Sequence, residues 1–324
     1  MELIINRSTD PAFNLALEEY ILTNMDLDII MLWRNSASVI IGRNQNAIEE
    51  MNMDFVRENG ITVIRRQSGG GAVFHDLGNI NFTIIHQLGK DDFSNYERFT
   101  EPIRDFLLGI GVEATLEGRN DLVIKGAKFS GNAQAVKGKR IMHHGTILFD
   151  ADVGWLSQAL KPGKAKIESK GVKSVRDRVT NVAVHLPEPM SAEEFFDRLC
   201  DFFLARADGL YELTESDVEA TRRLVNEKYD TWEWNIGRSP LYNHRKSERF
   251  AFGSVEVLLT VKNGLIQEAR VFGDFFGIKE IVELENVFKG LRHDNIENLR
   301  EALQNIDLND YIHGISVEEF LRLF

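Results

Sequence analysis

The sequence has almost no cysteine and no long apolar run. Its 324 residues include one cysteine, Cys200, which excludes an internal disulfide and a cysteine-rich metal site. No stretch approaches eighteen consecutive apolar residues, so no membrane-spanning helix is predicted. The first residues also lack a secretory pattern. We therefore expect a cytoplasmic protein with no membrane partner.

Excess positive charge is also missing. The formal net charge of −12 predicts no nucleic-acid partner, because nonspecific binding requires surplus lysine and arginine to neutralise phosphates. The charge is nevertheless uneven, since residues 161–178, the basic segment, contain seven basic and two acidic side chains. Such a segment is either an ordinary solvated loop or a surface that meets an anionic ligand or an acidic protein.

The order of apolar patterns predicts an α+β fold. Asp10 followed by Pro11 is typical of a helix start, and the apolar spacing predicts an amphipathic helix over 11–24. Short strands and helices follow, and Asn263-Gly264 between two apolar runs is a strong hairpin signal. With 43% hydrophobic residues the chain can build a large domain and a smaller one, expected at 1–244 and 245–324.

Three consecutive glycines mark residues 65–76, the glycine loop, whose sequence is Arg-Arg-Gln-Ser-Gly-Gly-Gly-Ala-Val-Phe-His-Asp. Glycine loses much backbone entropy on folding, so a triplet suggests positive φ or a ligand against bare backbone. One interpretation is a tight hairpin with solvated arginines. The other is an anion cradle made of backbone amides and the paired arginines. The pattern matches neither a P-loop nor the dinucleotide fingerprint.

A second informative segment covers residues 118–134. Lys128 lies between a turn and a strand of small and polar residues, where its ammonium either faces a pocket or is an exposed strand-end charge. Asp121 is either a turn residue or a Mg²⁺ contact, because magnesium takes one or two carboxylates with phosphate oxygens. His75, His143 and His144 lack zinc-like spacing, which favours satisfied or pocket-lining histidines over metal ligands or bases.

Both segments resemble the signatures of the lipoate-protein ligases. The pattern Arg-Arg-x-Ser-Gly-Gly-Gly-Ala-Val-Phe-His-Asp-x-Gly-Asn lies at 65–79, and Gly-Arg-Asn-Asp-Leu followed by Lys-x-Ser-Gly-x-Ala lies at 118–133. Further similar runs lie at 13–18, 143–146, 170–181, 232–235 and 273–276. The resemblance covers nearly the whole chain. It implies a mixed-sheet catalytic domain of the biotin and lipoate ligase type, with the small α+β C-terminal accessory domain of the long bacterial enzymes.

The resemblance implies an enzyme that activates lipoate with ATP to lipoyl-AMP, releases pyrophosphate and transfers the lipoyl group to a lysine of an acceptor protein. ATP, Mg²⁺ and lipoate are the implied substrates and cofactor, without a bound redox cofactor. The implied acceptors are apo lipoyl-domain proteins, namely E2 subunits of 2-oxoacid dehydrogenases and the glycine-cleavage H protein. The expected oligomeric state is a monomer.

The resemblance also implies site residues. Lys128 is the implied catalytic residue and Asp121 the implied Mg²⁺ contact. The implied ATP-binding residues are Arg66, Gly71, Ala72, Val73, Phe74 and Lys128. The implied lipoate- and adenylate-binding residues are Arg65, Ser68, Gly69, Gly70, His75 and Lys128. Candidates for an apolar slot around the lipoyl chain are Leu17, Val73 and Phe82.

Two alternatives to this activity remain. A lysine at 128 without a nearby cysteine favours adenylation over the related cysteine-dependent transferases, which need an activated thiolate. A cysteine-independent lipoyl or octanoyl transferase and an inactive lipoate-binding homologue both stay open. The resemblance further implies that the basic segment closes over the adenylate. It also implies that the C-terminal domain reorients about a hinge near 235–247.

Overall fold

The computed structural model describes residues 1–160, 179–237, 242 and 244–324. The basic segment therefore lies outside the described residues, as does part of the expected hinge. The strands are β1 Glu2–Ile5, β2 Ile29–Arg34, β3 Ser38–Ile41, β4 Thr62–Arg65, β5 Val73–His75, β6 Asn79–Gln87, β7 Thr115–Glu117, β8 Asp121–Ile124, β9 Ala127–Lys137, β10 Arg140–Leu148, β11 Gly209–Leu210, β12 His244–Phe250, β13 Gly253–Lys262 and β14 Leu265–Gly273.

Helices lie between these strands and after them. They are α1 Pro11–Asn24, α2 Ala47–Glu50, α3 Met53–Glu58, α4 Tyr96–Gly109, α5 Val153–Ala159, α6 Ala192–Leu204, α7 Glu215–Leu224, α8 Trp232–Asn235, α9 Ile281–Val287, α10 Ile296–Ala302 and α11 Val317–Leu321. A π-helix, Val225–Tyr229, continues α7, and short 3₁₀ helices occupy Val182–His185 and Leu308–Asp310. No helix in the described ranges has the length and apolarity that a membrane crossing requires.

The largest sheet has eight strands in the order β11-β1-β2-β6-β10-β9-β8-β7. β1 runs parallel to its two neighbours, β2 and β11. All other neighbouring strands of this sheet pair antiparallel. A second sheet, β4-β3-β5, carries the glycine loop between β4 and β5. An antiparallel sheet, β12-β13-β14, lies in the C-terminal part. The α+β prediction with a mixed sheet is confirmed.

Apolar side chains form a core on each side of the large sheet. One core packs α4 and α6 against it through residues such as Phe106 and Phe195, and another packs α1 through residues such as Leu17. The small sheet has a core with α3 and α5 around Phe74. A separate core joins β12–β14 to α9–α11 around Phe288. The two strands that flank the glycine loop, β4 and β5, thus belong to one packed sheet.

Helix α1 begins at the predicted residue but is more deeply buried than predicted. The Asp10 side chain accepts hydrogen bonds from the Ala12 and Phe13 amides at 3.0 and 3.4 Å, and Pro11 opens the helix. An amphipathic helix is the wrong description, because every residue from Pro11 to Glu18 is buried. This burial brings Glu18 into contact with polar groups of the sheet.

Candidate functional site

A cavity of about 280 Å³ lies where the glycine loop faces the hairpin β8–β9 and strand β10. Both sequence signatures contribute to its wall, although some fifty residues separate them. The lining residues are Leu15, Trp33, Ile40, Arg66, Gly70, Gly71, Ala72, Val73, His75, Asn81, Arg119, Asn120, Asp121, Lys128, Gly131, Asn132, Ala133, His144, Gly145, Thr146 and Asp274.

Arg66 places a buried cation in this wall. Its guanidinium donates to Ser68 Oγ at 3.0 Å and to the carbonyl oxygens of Gly69 and Gly71 at 2.6 and 2.8 Å. A further bond reaches Ile40 O at 3.2 Å. Burial lowers the pKa of Arg66 to about 10, so the side chain remains charged at neutral pH. The hydrogen bonds to two glycine carbonyls hold the loop around the guanidinium. Arg66 is therefore a fixed positive charge in the cavity wall.

Lys128 provides a second cation on the opposite wall. Its Nζ lies 2.7 Å from Asp121 Oδ1, and both side chains are a little over one-third exposed. The tight turn Lys125-Gly126, with φ of 51° and 78°, lies between Asp121 on β8 and Lys128 on β9. A Cβ at Gly131 would lie 3.0 Å from Lys128 Nζ, so this glycine leaves the space that the ammonium occupies.

A line of buried polar side chains runs behind the cavity. His144 Nε2 lies 2.6 Å from Ser68 Oγ, and His144 Nδ1 lies 2.8 Å from Glu18 Oε1. The same carboxylate oxygen accepts from Thr83 Oγ1 at 2.7 Å, and Thr83 accepts from Trp33 Nε1 at 2.9 Å. These bonds fix the ring of His144 and the indole of Trp33, both of which line the cavity. The wall is therefore preorganised before any ligand enters.

His75 lines the cavity and has one hydrogen-bonding atom that no described residue uses. Its Nδ1 lies 3.1 Å from Asn35 Nδ2, a donor, so we assign the proton to Nε2. That Nε2 atom is buried and has no hydrogen-bond partner among the described residues. Burial, the Arg66 charge and His144 together lower the pKa of His75 to about 3, so the ring is neutral. The neutral ring therefore belongs to the cavity wall and keeps one N–H that no described residue accepts.

Arg65 does not line the cavity. Its guanidinium donates to carbonyl oxygens of two other segments, at 2.7 to 3.2 Å: Gly42, Arg43 and Gln45 after β3, and Trp234 and Asn235 in α8. The side chain is 1% exposed. Arg65 thus joins the base of the glycine loop to α8, a position different from the ligand contact that the sequence suggested.

The structure brings most of the predicted site residues together. Arg66, Gly70, Gly71, Ala72, Val73, His75, Asp121 and Lys128 all line the cavity. Ser68 lies behind His144, and the Phe74 side chain packs into the core of the small sheet. Of the apolar candidates only Val73 lines the cavity, since Leu17 and Phe82 belong to the cores on either side of the large sheet. Whether these residues contact substrate stays a prediction.

Sequence reasoning missed several wall residues. Leu15 of α1, Trp33 of β2 and Ile40 of β3 supply apolar surface to the cavity wall. In the sequence they are ordinary apolar residues of a helix and two strands. Glu18 carried a weak signal, because a carboxylate within an apolar helix needs a partner when it is buried. Asn132 and Arg119 lay within the second signature without being singled out.

The loop Gly273–Phe276, which we call the docking loop, covers the glycine loop. The Gly70 amide donates to Phe275 O at 3.4 Å, and Gly273 N donates to Asn44 O at 2.8 Å. The Phe276 ring is 4% exposed and packs with Tyr96 and Ala133. One edge of the cavity is consequently formed by the C-terminal part of the chain.

Family models match both parts of the chain. The model described as the lipoyl protein ligase A/B catalytic domain matches residues 10–204, and the model described as the bacterial lipoate protein ligase C-terminus matches residues 239–324. The lipoate-protein ligase LplJ of Bacillus subtilis is 44% identical over 97% of this chain and 96% of its own length. Lipoate–protein ligase 1 of Staphylococcus aureus is 43% identical over 98% of both chains.

Solved structures of similar proteins share the fold. Plasmodium falciparum LipL1 in complex with lipoate superposes with a TM-score of 0.82 at 25% identity, over 99% of this chain and 98% of its own. Lipoate-protein ligase A bound with ATP has a TM-score of 0.63 at 30% identity, over 73% and 98%. A bipartite ligase from Thermoplasma acidophilum, described with its E2 lipoyl domain, has a TM-score of 0.65 at 31% identity, over 74% and 97%.

Proposed function

The chain belongs to the lipoate-protein ligases, and we propose that it adenylates lipoate with ATP before transferring the lipoyl group to a protein lysine. The observation that carries this proposal is one cavity with two cations, Arg66 and Lys128, beside an apolar wall. An anionic head and an aliphatic tail are the two parts of lipoate that such a cavity would accommodate. An ATP-bound and a lipoate-bound relative support the same substrates.

The first step joins two anions. A lipoate carboxylate oxygen attacks the α-phosphorus of ATP, the bond from that phosphorus to the β-phosphate bridging oxygen breaks, and pyrophosphate leaves. Arg66 and Lys128 reduce the repulsion between the reactants and stabilise the charge that develops at phosphorus. The amides of Gly71, Ala72 and Val73 are proposed to receive phosphate oxygens beside Arg66. Phe74 is proposed to contribute only its backbone.

The lipoyl chain is proposed to lie along Leu15, Trp33, Ile40 and Val73. These side chains are the large apolar members of the cavity wall. Removing an aliphatic chain from water here supplies binding energy without any charge. His75 is proposed to orient the carboxylate end through Nε2–H.

The second step uses an acceptor lysine. Its neutral amine attacks the carbonyl carbon of lipoyl-AMP, the bond from that carbon to the phosphate oxygen breaks, and AMP leaves while the amine loses a proton. The proposed acceptors are apo lipoyl domains of 2-oxoacid dehydrogenases and the glycine-cleavage H protein. A related ligase described with its E2 lipoyl domain supports this class of partner.

Asp121 is the residue proposed to hold Mg²⁺. Its carboxylate lines the cavity beside Lys128, and magnesium accepts one carboxylate when phosphate oxygens supply other ligands. No cluster of three metal-binding side chains occurs among the residues that the structure describes, so most ligands would come from ATP and water. When bound, the ion would neutralise phosphate charge.

We further propose that residues 1–244 form the catalytic domain and residues 245–324 the accessory domain, in a cytoplasmic monomer. The separate core of the C-terminal part supports this division. The boundary falls beside residues 238–241 and 243, which lie outside the described part of the chain.

Pyrophosphate release tests the proposal. Wild type supplied with lipoate and Mg-ATP, but no acceptor, is expected to release pyrophosphate, and Lys128→Ala to lose at least 100-fold of that rate (~3 kcal/mol). Lys139→Ala is the matched control, because Lys139 is exposed and lies outside the cavity wall. Release that is absent even after apo H protein is added would exclude the ligase reaction and favour a transferase or an inactive homologue.

A further inference from the structure

His143 is a fully buried histidine on β10 that neither proposed step uses. Its ring stacks on Phe99, with centroids 4.8 Å apart and planes at 12°, and on Phe82, with centroids 5.9 Å apart. Burial lowers the pKa of His143 well below its usual value, so the ring is neutral. A polar ring in such an apolar stack needs a hydrogen-bond partner for each nitrogen. Both nitrogens of His143 have one.

The hydrogen bonds around His143 run in one direction. Gln134 Oε1 accepts from the Ser94 backbone amide at 2.7 Å, so the Gln134 atom that faces His143 Nδ1, at 3.4 Å, is the donor Nε2. Because Nδ1 accepts this bond, the proton of the neutral ring lies on Nε2. That N–H donates to Asn132 Oδ1 at 3.2 Å. The contacts therefore assign a single tautomer to His143.

Asn132 carries this orientation to the start of β8. With its Oδ1 bonded to His143, its Nδ2 donates to Asn120 O at 3.1 Å and to Ser130 Oγ at 3.2 Å. The Asn132 backbone amide donates to the same Asn120 carbonyl at 3.0 Å, and Asn120 Nδ2 donates back to Asn132 O. A Cβ at Gly145, opposite Asn132 on β10, would lie 2.3 Å from Asn132 Oδ1. Gly145 thus leaves the space that the Asn132 amide occupies.

The bonds between Asn120 and Asn132 lie beside the candidate catalytic pair. Asn120 directly precedes Asp121, whose carboxylate is 2.7 Å from Lys128 Nζ. Asp121 pairs with Gly131, the neighbour of Asn132, and the register of β8 and β9 shifts after the next residue of β8. Such an irregularity disrupts the ladder of backbone hydrogen bonds locally. The side chains of Asn120 and Asn132 supply additional bonds between the strands at this point.

We propose that His143 is a positioning residue, whose Nε2–H orients the Asn132 amide so that Asn120 holds the Asp121–Lys128 pair at the cavity. The inference rests on the proposed adenylation, in which Lys128 stabilises charge at phosphorus. Since both ring nitrogens bond to protein groups, His143 acts through Asn132 and not on a substrate.

The tautomer of His143 can be measured in the wild-type protein. After labelling with ¹⁵N-histidine, long-range ¹H–¹⁵N spectra at pH 7 should show a neutral His143 with its proton on Nε2. The variant His143→Gln lacks this signal and so assigns it. A proton on Nδ1, or a charged ring, would overturn the proposed orientation of Asn132 without any activity measurement.

Two substitutions separate the hydrogen bond of His143 from its packing. His143→Phe keeps an aromatic ring in the stack but removes the N–H, and should lower the kcat of lipoate-dependent pyrophosphate release at least about tenfold, as misplacement of a reacting group does. His143→Gln keeps a donor at the position of Nε2 and should recover most of this loss. Equal kcat values in the two variants would contradict the role of the N–H.

His86→Phe is the matched control for packing. His86 is also a buried histidine that stacks on Phe99, with centroids 5.4 Å apart, but its Nδ1 lies 2.7 Å from Gln87 O and it is outside the cavity wall. This variant should keep the wild-type kcat even if its melting temperature falls as far as that of His143→Phe. An equal loss of kcat in both would attribute the effect to packing alone.

Binding of α,β-methylene-ATP, in which adenylation is blocked, shows whether rate or affinity is affected. His143→Phe should lose much less affinity than kcat, because Arg66 and the amides of the glycine loop are unchanged. Equal losses of affinity and kcat would assign His143 to ground-state binding and overturn the positioning role.

A double-mutant cycle tests whether His143 acts through Asn132. Asn132→Ala should lose about as much kcat as His143→Phe, and the double variant should lose little more than either. Multiplying losses would contradict the connection. Wild type that releases pyrophosphate at the same rate as His143→Phe would overturn only the positioning role. Wild type that releases none, even with apo H protein, would overturn the proposed adenylation and this inference with it.

Discussion

Gly131 determines where the ammonium of Lys128 lies. A methyl group there would come within 3.0 Å of Nζ, the free end of a flexible side chain, so the lysine can move without disturbing the backbone. We expect Gly131→Ala to keep its melting temperature within about 2 °C of wild type, as for substitutions that create no core strain. Lipoate-dependent pyrophosphate release should fall at least tenfold (~1.4 kcal/mol), because the cation is displaced from the reacting phosphate.

Stability and activity must be measured on the same preparation of this variant. Gly109→Ala, at an exposed helix position outside the cavity wall where an added Cβ meets no atom within 4 Å, is the control for an added methyl group elsewhere. A Gly131→Ala enzyme with the wild-type rate would show that the position of Nζ is unimportant.

Arg65 illustrates what a motif leaves undetermined. The sequence shows two adjacent arginines of equal chemistry. In the fold the Arg65 guanidinium donates to α8, whereas the Arg66 guanidinium donates to the glycine loop at the cavity. We expect Arg65→Lys to lower the free energy of unfolding by about 2–3 kcal/mol, because lysine cannot satisfy five carbonyl oxygens. Urea denaturation measures this. Unchanged stability with lost lipoate binding would instead support the direct contact that the motif implied.

His75 makes stability depend on pH. Its pKa of about 3 in the folded protein lies below the usual value near 6.5, so the unfolded chain binds more protons between these values. The free energy of unfolding must then fall as the pH drops below about 6.5. From pH 7 to 5.5 this group should account for about 1 kcal/mol.

The variant His75→Gln isolates this contribution. Its free energy of unfolding, measured by urea at both pH values, should vary less than that of wild type by that amount. Identical variation in the two proteins would mean that His75 takes up its proton equally readily in the folded and the unfolded chain.

Helix α1 begins where local chemistry requires. Asp10 satisfies two amides of the first turn, and Pro11 needs none. We expect Asp10→Ala to lose about 1 kcal/mol of stability and Asp10→Asn to lose little, since asparagine caps equally well. Chemical denaturation of the two variants provides the test, and an equal loss in both would attribute the effect to the charge.

Strands were predictable where turns and apolar runs coincide. The hairpin β13–β14 has the predicted two-residue turn, Asn263-Gly264, with φ of 53° and 78°. β12 was missed because its sequence, His-Arg-Lys-Ser-Glu-Arg-Phe, has no apolar alternation, and it forms as an edge strand through pairing with β13. Local sequence signals therefore predict the hairpin β13–β14. The strand β12 is defined only by its pairing with β13.

Many residues of the candidate site could be predicted from the sequence. The shape of the cavity and the apolar residues of its wall could not. The two signatures contain the cationic residues and the glycines of the cavity. These residues could be recognised in the sequence because a glycine triplet and charged side chains beside apolar strands are unusual. Trp33 and Ile40 reach the cavity only because β2 and β3 belong to different sheets that meet there. Phe276 packs over the glycine loop although about two hundred residues separate the two in the chain. A single sequence carries no local signal for such a contact.

At the scale of the whole molecule, the residues that the structure describes form two main hydrophobic units with separate cores. The cores around the large and small sheets share no residue with the core of β12–β14, and the Phe276 cluster lies between them. We expect calorimetry to resolve two unfolding transitions, with α,β-methylene-ATP raising the transition of the part that carries the cavity. Glu280→Gln, which removes the ion pair of the C-terminal part with Arg43, should separate the transitions further. A single cooperative transition in both proteins would show that docking couples the units completely.

The single cysteine has a consequence for the chemistry of the substrate itself. The ring of lipoate is a strained disulfide, which an accessible thiolate would open by thiol–disulfide exchange. Cys200 is buried within α6, and burial raises the pKa of its thiol to about 12. The one thiol of this chain is therefore not available to open the dithiolane of a bound lipoyl group.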